Sequence, residues 1–323
     1  MPVLKKSSYS NRPWFLPNRH LETIVPSVFF KTDGVSYTRE RLELEDGDFL
    51  DLDWIRNGNS KLLILSHGLE GNSDRQYIRR SAKFFRDQGY DVLAWNCRGC
   101  SGEINRLRKS YQHGDVDDIG AVIAKALDQA YSHIHLVAYS MGGNMTLKYL
   151  GVKGNDLDSR VRSAATFSVP CHLQDSSAEI NKKENRFYEK RFIRKLKAKM
   201  ELKAENFPDL KYDWSEIKDF HDFNLKYTIP VYGFESEQAF FDQARSDLHL
   251  PNISIPTLVA NAKNDPMLGE KNYPIEYANQ AEHVFLEMPE RGGHVGFTIR
   301  GDQYSWMEYR ALEFFENPTA KVS

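Results

Sequence analysis

Ile134-His135-Leu136-Val137-Ala138-Tyr139-Ser140-Met141-Gly142-Gly143 is the stretch on which the reading of this chain turns. Its apolar half suits a buried strand. Ser140 then falls among small residues, and Asn144-Met145-Thr146-Leu147-Lys148-Tyr149-Leu150 continues in helix-compatible residues. A strand, a serine on a sharp turn and a helix in succession make the local pattern of a nucleophile elbow. Such a turn holds the serine backbone in a sparsely populated conformation, so bulky residues two places to either side would clash. The usual pattern has glycine at both places; here they are Ala138 and Gly142. Alanine adds one methyl and leaves the turn feasible. On this stretch alone, an ordinary turn serine capping a helix is the competing reading.

Working outward, Lys61-Leu62-Leu63-Ile64-Leu65-Ser66 is an apolar run suited to a central parallel strand. It ends in His67-Gly68-Leu69-Glu70-Gly71-Asn72-Ser73. A helix over about 75–87, a strand over 91–96 and the turn Cys97-Arg98-Gly99-Cys100-Ser101-Gly102 follow. Residues 115–130 read as a helix with an acidic first turn, which suits the helix dipole. Before all of these, 39–45 and 49–54 alternate in polarity around Asp46-Gly47-Asp48, a hairpin. Beyond the elbow, 162–169 and 256–262 read as strands, 273–280 as a helix, 282–288 as the last strand and 303–316 as a closing helix. Strands alternating with helices predict an α/β fold with a mostly parallel central sheet flanked by helices and an antiparallel hairpin at its start.

Two segments break the rhythm. Residues 1–38 are rich in proline and aromatics and predict an extended arm, since proline opposes a long helix and aromatics argue against disorder. Residues 171–250 are polar, charged and mostly helical, and predict a helical cap inserted between core segments 39–170 and 251–323. In the cap, Tyr188, Phe192, Ile193, Leu196 and Met200 share one helix face. The Lys and Arg around them could touch an anionic membrane surface. The interleaved Glu184, Glu189, Glu201 and Glu205 favour a solvated face instead.

Composition narrows the function classes. With 323 residues the chain can bury a substantial core without disulfides. A net charge of -2 does not point to nucleic acid, and no run approaches the ~20 apolar residues of a membrane span. Met1-Pro2-Val3-Leu4-Lys5-Lys6 lacks the apolar core of a signal peptide. Three cysteines, Cys97, Cys100 and Cys171, suit a reducing cytoplasm better than a disulfide scaffold. Cys97 and Cys100 have half-zinc-site spacing, but Cys171 alone does not complete a site, so a turn with incidental thiols is favoured and neither metal nor cofactor is expected.

Ester hydrolysis needs a nucleophile, a base to take its proton, a carboxylate to orient that base and donors for the oxyanion. Ser140, Asp265 and His294 occur in that chain order, each in a loop after an expected strand. Asp265 competes with Asp222, Asp242 and Asp247, which lie in the cap away from a strand end; a turn-forming aspartate before Pro266 is its structural alternative. His294 competes with His67, His113 and His283, and stands out by its loop of Gly292, Gly293 and Gly296. The backbone N–H groups of Met141 and Leu69 are the expected oxyanion donors, with His67 shaping the loop of the latter. His20 is read as structural.

At these residues the chain resembles the YheT-like branch of the α/β-hydrolases, bacterial esterases and eukaryotic relatives acting on lipid esters. The matching segments are His20-Leu21-Glu22-Thr23-Ile24, residues 42–54, His67 to Ser73, Asn96 to Gly102, Ser140-Met141-Gly142-Gly143-Asn144, Asn264-Asp265-Pro266 and Gly293-His294. The resemblance implies an α/β-hydrolase fold, a triad of Ser140, Asp265 and His294, and carboxylesterase chemistry on short or medium acyl chains. Ala138 departs from it in place of the first elbow glycine, and Cys97 stands where an aromatic is common. The expected partner is a small-molecule ester. A thioester, lactone, phospholipid or monoacylglycerol substrate keeps the same triad, and a non-catalytic binding protein on the same fold is the alternative of another class.

Overall fold

Helix α1 (Arg19–Phe29) leads into the hairpin of β1 (Thr38–Glu43) and β2 (Phe49–Ile55), and the α/β rhythm then begins with β3 (Lys61–Ser66), α2 (Gln76–Asp87) and β4 (Asp91–Asn96). It continues through α3 (Asp117–Leu127), β5 (His133–Tyr139), α4 (Met141–Lys153) and β6 (Val161–Phe167). Helices α5 (Leu173–Ile180), α6 (Arg186–Asn206), α7 (Phe220–Phe223), α8 (Ile229–Tyr232) and α9 (Glu237–Ala244) intervene before β7 (Thr257–Ala260), α10 (Ile275–Gln280), β8 (Val284–Glu287) and α11 (Trp306–Glu316). This computed structural model describes residues 3, 4 and 6–318. Met1, Pro2 and Lys5, part of the stretch inspected for a signal-peptide core, lie outside the described residues, as do 319–323.

Among the described residues the strands form one sheet in the order β1-β2-β4-β3-β5-β6-β7-β8. The pairings of β1 with β2 and β2 with β4 are antiparallel, and all others are parallel. The apolar run of β3 follows from burial on both faces. Leu62 and Ile64 join one core cluster, Leu63 and Leu65 the other. The register aligns the strand ends: Ser66 lies beside both Trp95 and Ala138, Tyr139 beside Phe167, and Phe167 beside Ala260, which neighbours Glu287. The loops after β3, β5, β7 and β8 therefore emerge along one edge, where chemistry in open parallel sheets is assembled.

The elbow glycine has a packing reason. A Cβ on Gly142 would come within 2.5 Å of the His67 carbonyl oxygen and 2.8 Å of Ser66 backbone, so α4 could not start this close to β3. From Met141 to Gly151 that helix is buried throughout.

Two expectations need correction. The arm is not simply extended: Arg19–Phe29 is helical with Pro26 inside it. The Asn18 side chain caps its start, accepting from the His20 and Leu21 N–H groups at 3.0 Å. Pro26 has no N–H to return to the Glu22 carbonyl, and that carbonyl instead lies against Gly296, where no side chain would fit. The basic face of α6 is not simply solvated either. Lys199 and Lys203 are buried, and Lys195 donates to the Glu70 carbonyl at 2.8 Å. Beside the lysines, Ile193, Leu196 and Met200 close a separate apolar cluster with Leu210, Phe223 and Tyr227.

Candidate active site

Ser140 sits at φ 53°, ψ -123°, a conformation that a non-glycine residue adopts only under constraint. The constraint is visible: its N–H donates to the Phe167 carbonyl at 2.9 Å, and α4 starts at the next residue. His294 arrives from the loop after β8, and its Nε2 lies 2.9 Å from Ser140 Oγ. Its Nδ1 lies 2.9 and 3.1 Å from the two carboxylate oxygens of Asp265, which comes from the loop after β7. The carboxylate can only accept, so Nδ1 carries the proton and Nε2 is free to accept from the serine hydroxyl. Asp265 is buried, and its Oδ1 also accepts from the Met267 N–H at 2.8 Å. The three residues picked out by chain order are thus brought into one line of hydrogen bonds.

The competing aspartates are occupied elsewhere. Asp247 pairs with Arg245 at 2.7 Å, Asp242 accepts from Gln238 at 2.9 Å and Asp222 accepts from the Lys218 N–H at 2.9 Å. His113 is held neutral by burial, which pulls its pKa down to about 4, and it lines the wall of a cleft. His20 contacts the Tyr188 hydroxyl at 3.2 Å.

Beside Ser140, the N–H groups of Leu69 and Met141 find no acceptor among the described residues. Their neighbours do. The Gly68 N–H donates to the Tyr77 hydroxyl at 3.0 Å and the Glu70 N–H to the Tyr111 hydroxyl at 2.9 Å. Leu69 is left between them, its N–H open for a developing oxyanion. His67 shapes the same loop: its Nε2 accepts from the Cys97 N–H at 3.1 Å, so Nδ1 carries the proton and donates to the Gly68 carbonyl at 2.8 Å. Burial holds its pKa down at about 4, which keeps it neutral. Tyr77 and Tyr111 escaped the sequence reading, because a tyrosine that holds a loop has no spacing signature.

A second support was also hidden. The His294 N–H donates to Thr23 Oγ1 at 2.9 Å, and Gly293 passes so close that a Cβ there would lie 2.7 Å from the same oxygen. The neighbouring Glu22 is 2 % exposed and accepts from Asn264 Nδ2 at 2.6 Å and Arg12 Nη1 at 3.1 Å. Asn264 Oδ1 in turn accepts from the Gly293 N–H at 3.1 Å. Helix α1 therefore clamps the acid and histidine loops together. The signal lay in Glu22, an acidic residue inside an apolar stretch, but its partner Asn264 is 242 residues away. Thr23→Val keeps the shape and deletes the acceptor. We expect kcat for an activated ester to fall about tenfold, matching the ~1–1.5 kcal/mol of a lost hydrogen bond, with KM nearly unchanged and Thr23→Ser restoring the rate.

Two clefts meet at Ser140 and His294. The first, about 1000 Å³ counting space open to solvent, lies under the α5–α9 segment and is walled mainly by apolar side chains, among them Leu173, Ile180, Leu196, Met200, Phe223 and Phe240. Lys199 at its wall is paired with Glu70 at 2.6 Å and lies 3.1 Å from Cys100 Sγ. The second is more polar and is lined from α1, α2 and α6. Cys97, Cys100 and Cys171 are free and buried, and burial raises each thiol pKa above its ordinary value. Among the described residues, no three His, Cys, Asp or Glu side chains converge as a metal site, and no helix is long and apolar enough to cross a membrane.

Residues 61–299 match the family model described as "alpha/beta hydrolase fold". A protein of Escherichia coli (strain K12) named "Putative esterase YheT" is 30 % identical, over 94 % of this chain and 93 % of that protein. "Phospholipase ABHD3" of Homo sapiens is 26 % identical, over 92 % of this chain and 75 % of that protein. Among solved structures, the esterase PF2001 of Pyrococcus furiosus superposes with a TM-score of 0.61 at 18 % identity, covering 90 % of this chain and 96 % of that one. This last likeness bears on the fold.

Proposed function

The chain belongs to the alpha/beta hydrolase family, in its YheT-like branch, and from that footing we propose that it is a serine esterase cleaving carboxylic esters of short to medium acyl chain. The observation that carries this reading is the unbroken line of hydrogen bonds from Asp265 through His294 to Ser140, beside two unengaged N–H groups. Ser140 Oγ attacks the ester carbonyl as its proton passes to His294 Nε2. The oxyanion is received by the Leu69 and Met141 N–H groups. Asp265 stabilises the imidazolium, which then protonates the departing alcohol. Water, deprotonated by the same nitrogen, releases the acid from Ser140.

The esterase and phospholipase names of the relatives agree with ester substrates for this chain. The apolar wall of the first cleft supports an aliphatic acyl group there, and the segment between β6 and β7 serves as the cap that selects it. The three reduced cysteines suit the cytoplasm as its site of action.

A p-nitrophenyl ester series from acetyl to palmitoyl tests the reading, together with a fluorophosphonate probe. We expect stoichiometric labelling and the highest kcat/KM among short to medium chains. Neither turnover nor labelling across the series would leave a binding protein on a hydrolase fold.

A further inference from the structure

The Gly71 N–H donates to the Gly68 carbonyl at 2.9 Å and closes a turn with Leu69 and Glu70 at its centre. Glu70 sits there at φ 52°, in the left-handed region where such a turn normally carries glycine. A glutamate persists in that conformation only where its surroundings fix it. Here its N–H, its carbonyl and its carboxylate are all engaged. The N–H donates to the Tyr111 hydroxyl at 2.9 Å, and that hydroxyl donates back to Oε1 at 2.5 Å. The carbonyl accepts from Lys195 Nζ at 2.8 Å, and Oε1 accepts from Lys199 Nζ at 2.6 Å.

Lys195 and Lys199 lie four residues apart on α6 and so face the same way. Lys199 Nζ is held further, 3.1 Å from Cys100 Sγ and 4.6 Å from the centre of the Tyr111 ring. The side chains of Glu70 and Lys199 are 8 % and 7 % exposed, so solvent ions screen the pair little. His67 and Tyr111 reach the turn from loops of the sheet, whereas both lysines come from the segment between β6 and β7.

The consequence falls on Leu69. Its N–H shares a peptide plane with the Gly68 carbonyl and points the opposite way. That carbonyl is pinned by the Gly71 N–H, through the turn that Glu70 completes, and by His67 Nδ1 at 2.8 Å. The turn lies against the nucleophile, since a Cβ on Gly68 would come within 3.0 Å of Ser140 Cβ. Resting on the esterase reading, we infer that Lys195 and Lys199 are positioning residues for the oxyanion donor, holding the Leu69 N–H in place through Glu70. The helix that walls the apolar cleft thereby also completes the oxyanion hole.

Lys195→Met and Lys199→Met keep the side-chain length and delete the cation. Lys197→Met, on the same helix and paired with Glu201 at 3.7 Å, is the control. Each is measured in the full chain on p-nitrophenyl hexanoate and on its thiono analogue, in which sulfur replaces the carbonyl oxygen and accepts hydrogen bonds poorly. In both variants we expect kcat on the oxygen ester to fall about tenfold or more, part of the ~10²–10³ that loss of a whole oxyanion donor costs, with KM within about threefold of the parent. The oxygen-to-sulfur rate ratio should fall about fivefold or more, because the thiono ester draws less on the hole. Lys197→Met should match the parent on both substrates. Lys199→Met leaves a buried carboxylate without its cation; if it does not fold, Lys195→Met, which deletes one hydrogen bond at a half-buried site, decides alone. A rise in KM with kcat unchanged, or a loss of kcat that leaves the oxygen-to-sulfur ratio where it was, overturns the inference, since the lysines would then bind substrate or only support the fold. A parent that turns over ester and takes the fluorophosphonate label, with variants of that kind, keeps the esterase reading and sinks this inference alone. A parent that does neither removes the reading and the inference together.

Discussion

Ser140→Ala is expected to lower kcat on activated esters by about a million-fold and to abolish fluorophosphonate labelling. Loss of the nucleophile alone costs about as much as loss of a whole triad, because its members act as a unit. The residue left behind keeps two contributions: the open N–H groups of Leu69 and Met141, and the binding clefts. A small residual rate above the uncatalysed one should therefore survive. The change should spare the fold. The strained backbone of Ser140 is held by its N–H bond to the Phe167 carbonyl and by α4, neither of which uses the hydroxyl. A melting temperature within a few degrees of the parent, with activity gone, is the expected pair of results. Turnover or labelling that persists would mean that another side chain is the nucleophile.

The second large effect is expected from Asp265→Asn, a drop in kcat of about 10³–10⁴-fold from a change that adds no volume. The reason is the second bond of the carboxylate. Asp265 Oδ1 accepts from the Met267 N–H at 2.8 Å, while both oxygens face His294 Nδ1. An asparagine has one acceptor. If it serves Met267, its amide N–H points at Nδ1 and drives the imidazole proton to Nε2, where it blocks the serine. If it serves His294, two donors meet at Met267 in a buried place. The first arrangement costs less, since the ring can exchange its proton while the Met267 N–H would lose its partner. Labelling by the fluorophosphonate should slow by a similar factor, since it needs the same base. A variant within tenfold of the parent would show that Asp265 is not what orients the histidine.

Much of this site was legible because its signals are local. Gly142 after Ser140 answers to a clash with the end of β3, and the apolar run before the serine answers to burial on both faces of the sheet. Asp265 and His294 stood out by their position after apolar runs, which is where aligned parallel strands deliver loops to one edge. The N-terminal segment was misjudged for an equally local reason. Proline is unfavourable in an isolated helix, but here Asn18 caps the start and the carbonyl freed by Pro26 lies against Gly296. The lysines of α6 were misjudged because periodicity tells which face of a helix is polar and not what that face meets. Lys199 meets Glu70, and Lys195 meets the Glu70 carbonyl.

The sequence by itself pointed to the alternation of strands and helices in the core, to the elbow, and to a serine, an aspartate and a histidine as candidates, since turn sterics, hydrophobic periodicity and chain order act over a few residues or along the chain. Only the tertiary structure decided what surrounds them. The clamp of Glu22 and Thr23 on the histidine loop, the tyrosines that hold the neighbours of the Leu69 N–H, and the gathering of Arg75, Arg80, Arg191 and Lys195 along the second cleft are arrangements across the folded chain. Whether a buried charge has a partner depends on burial and distance, which no linear spacing encodes.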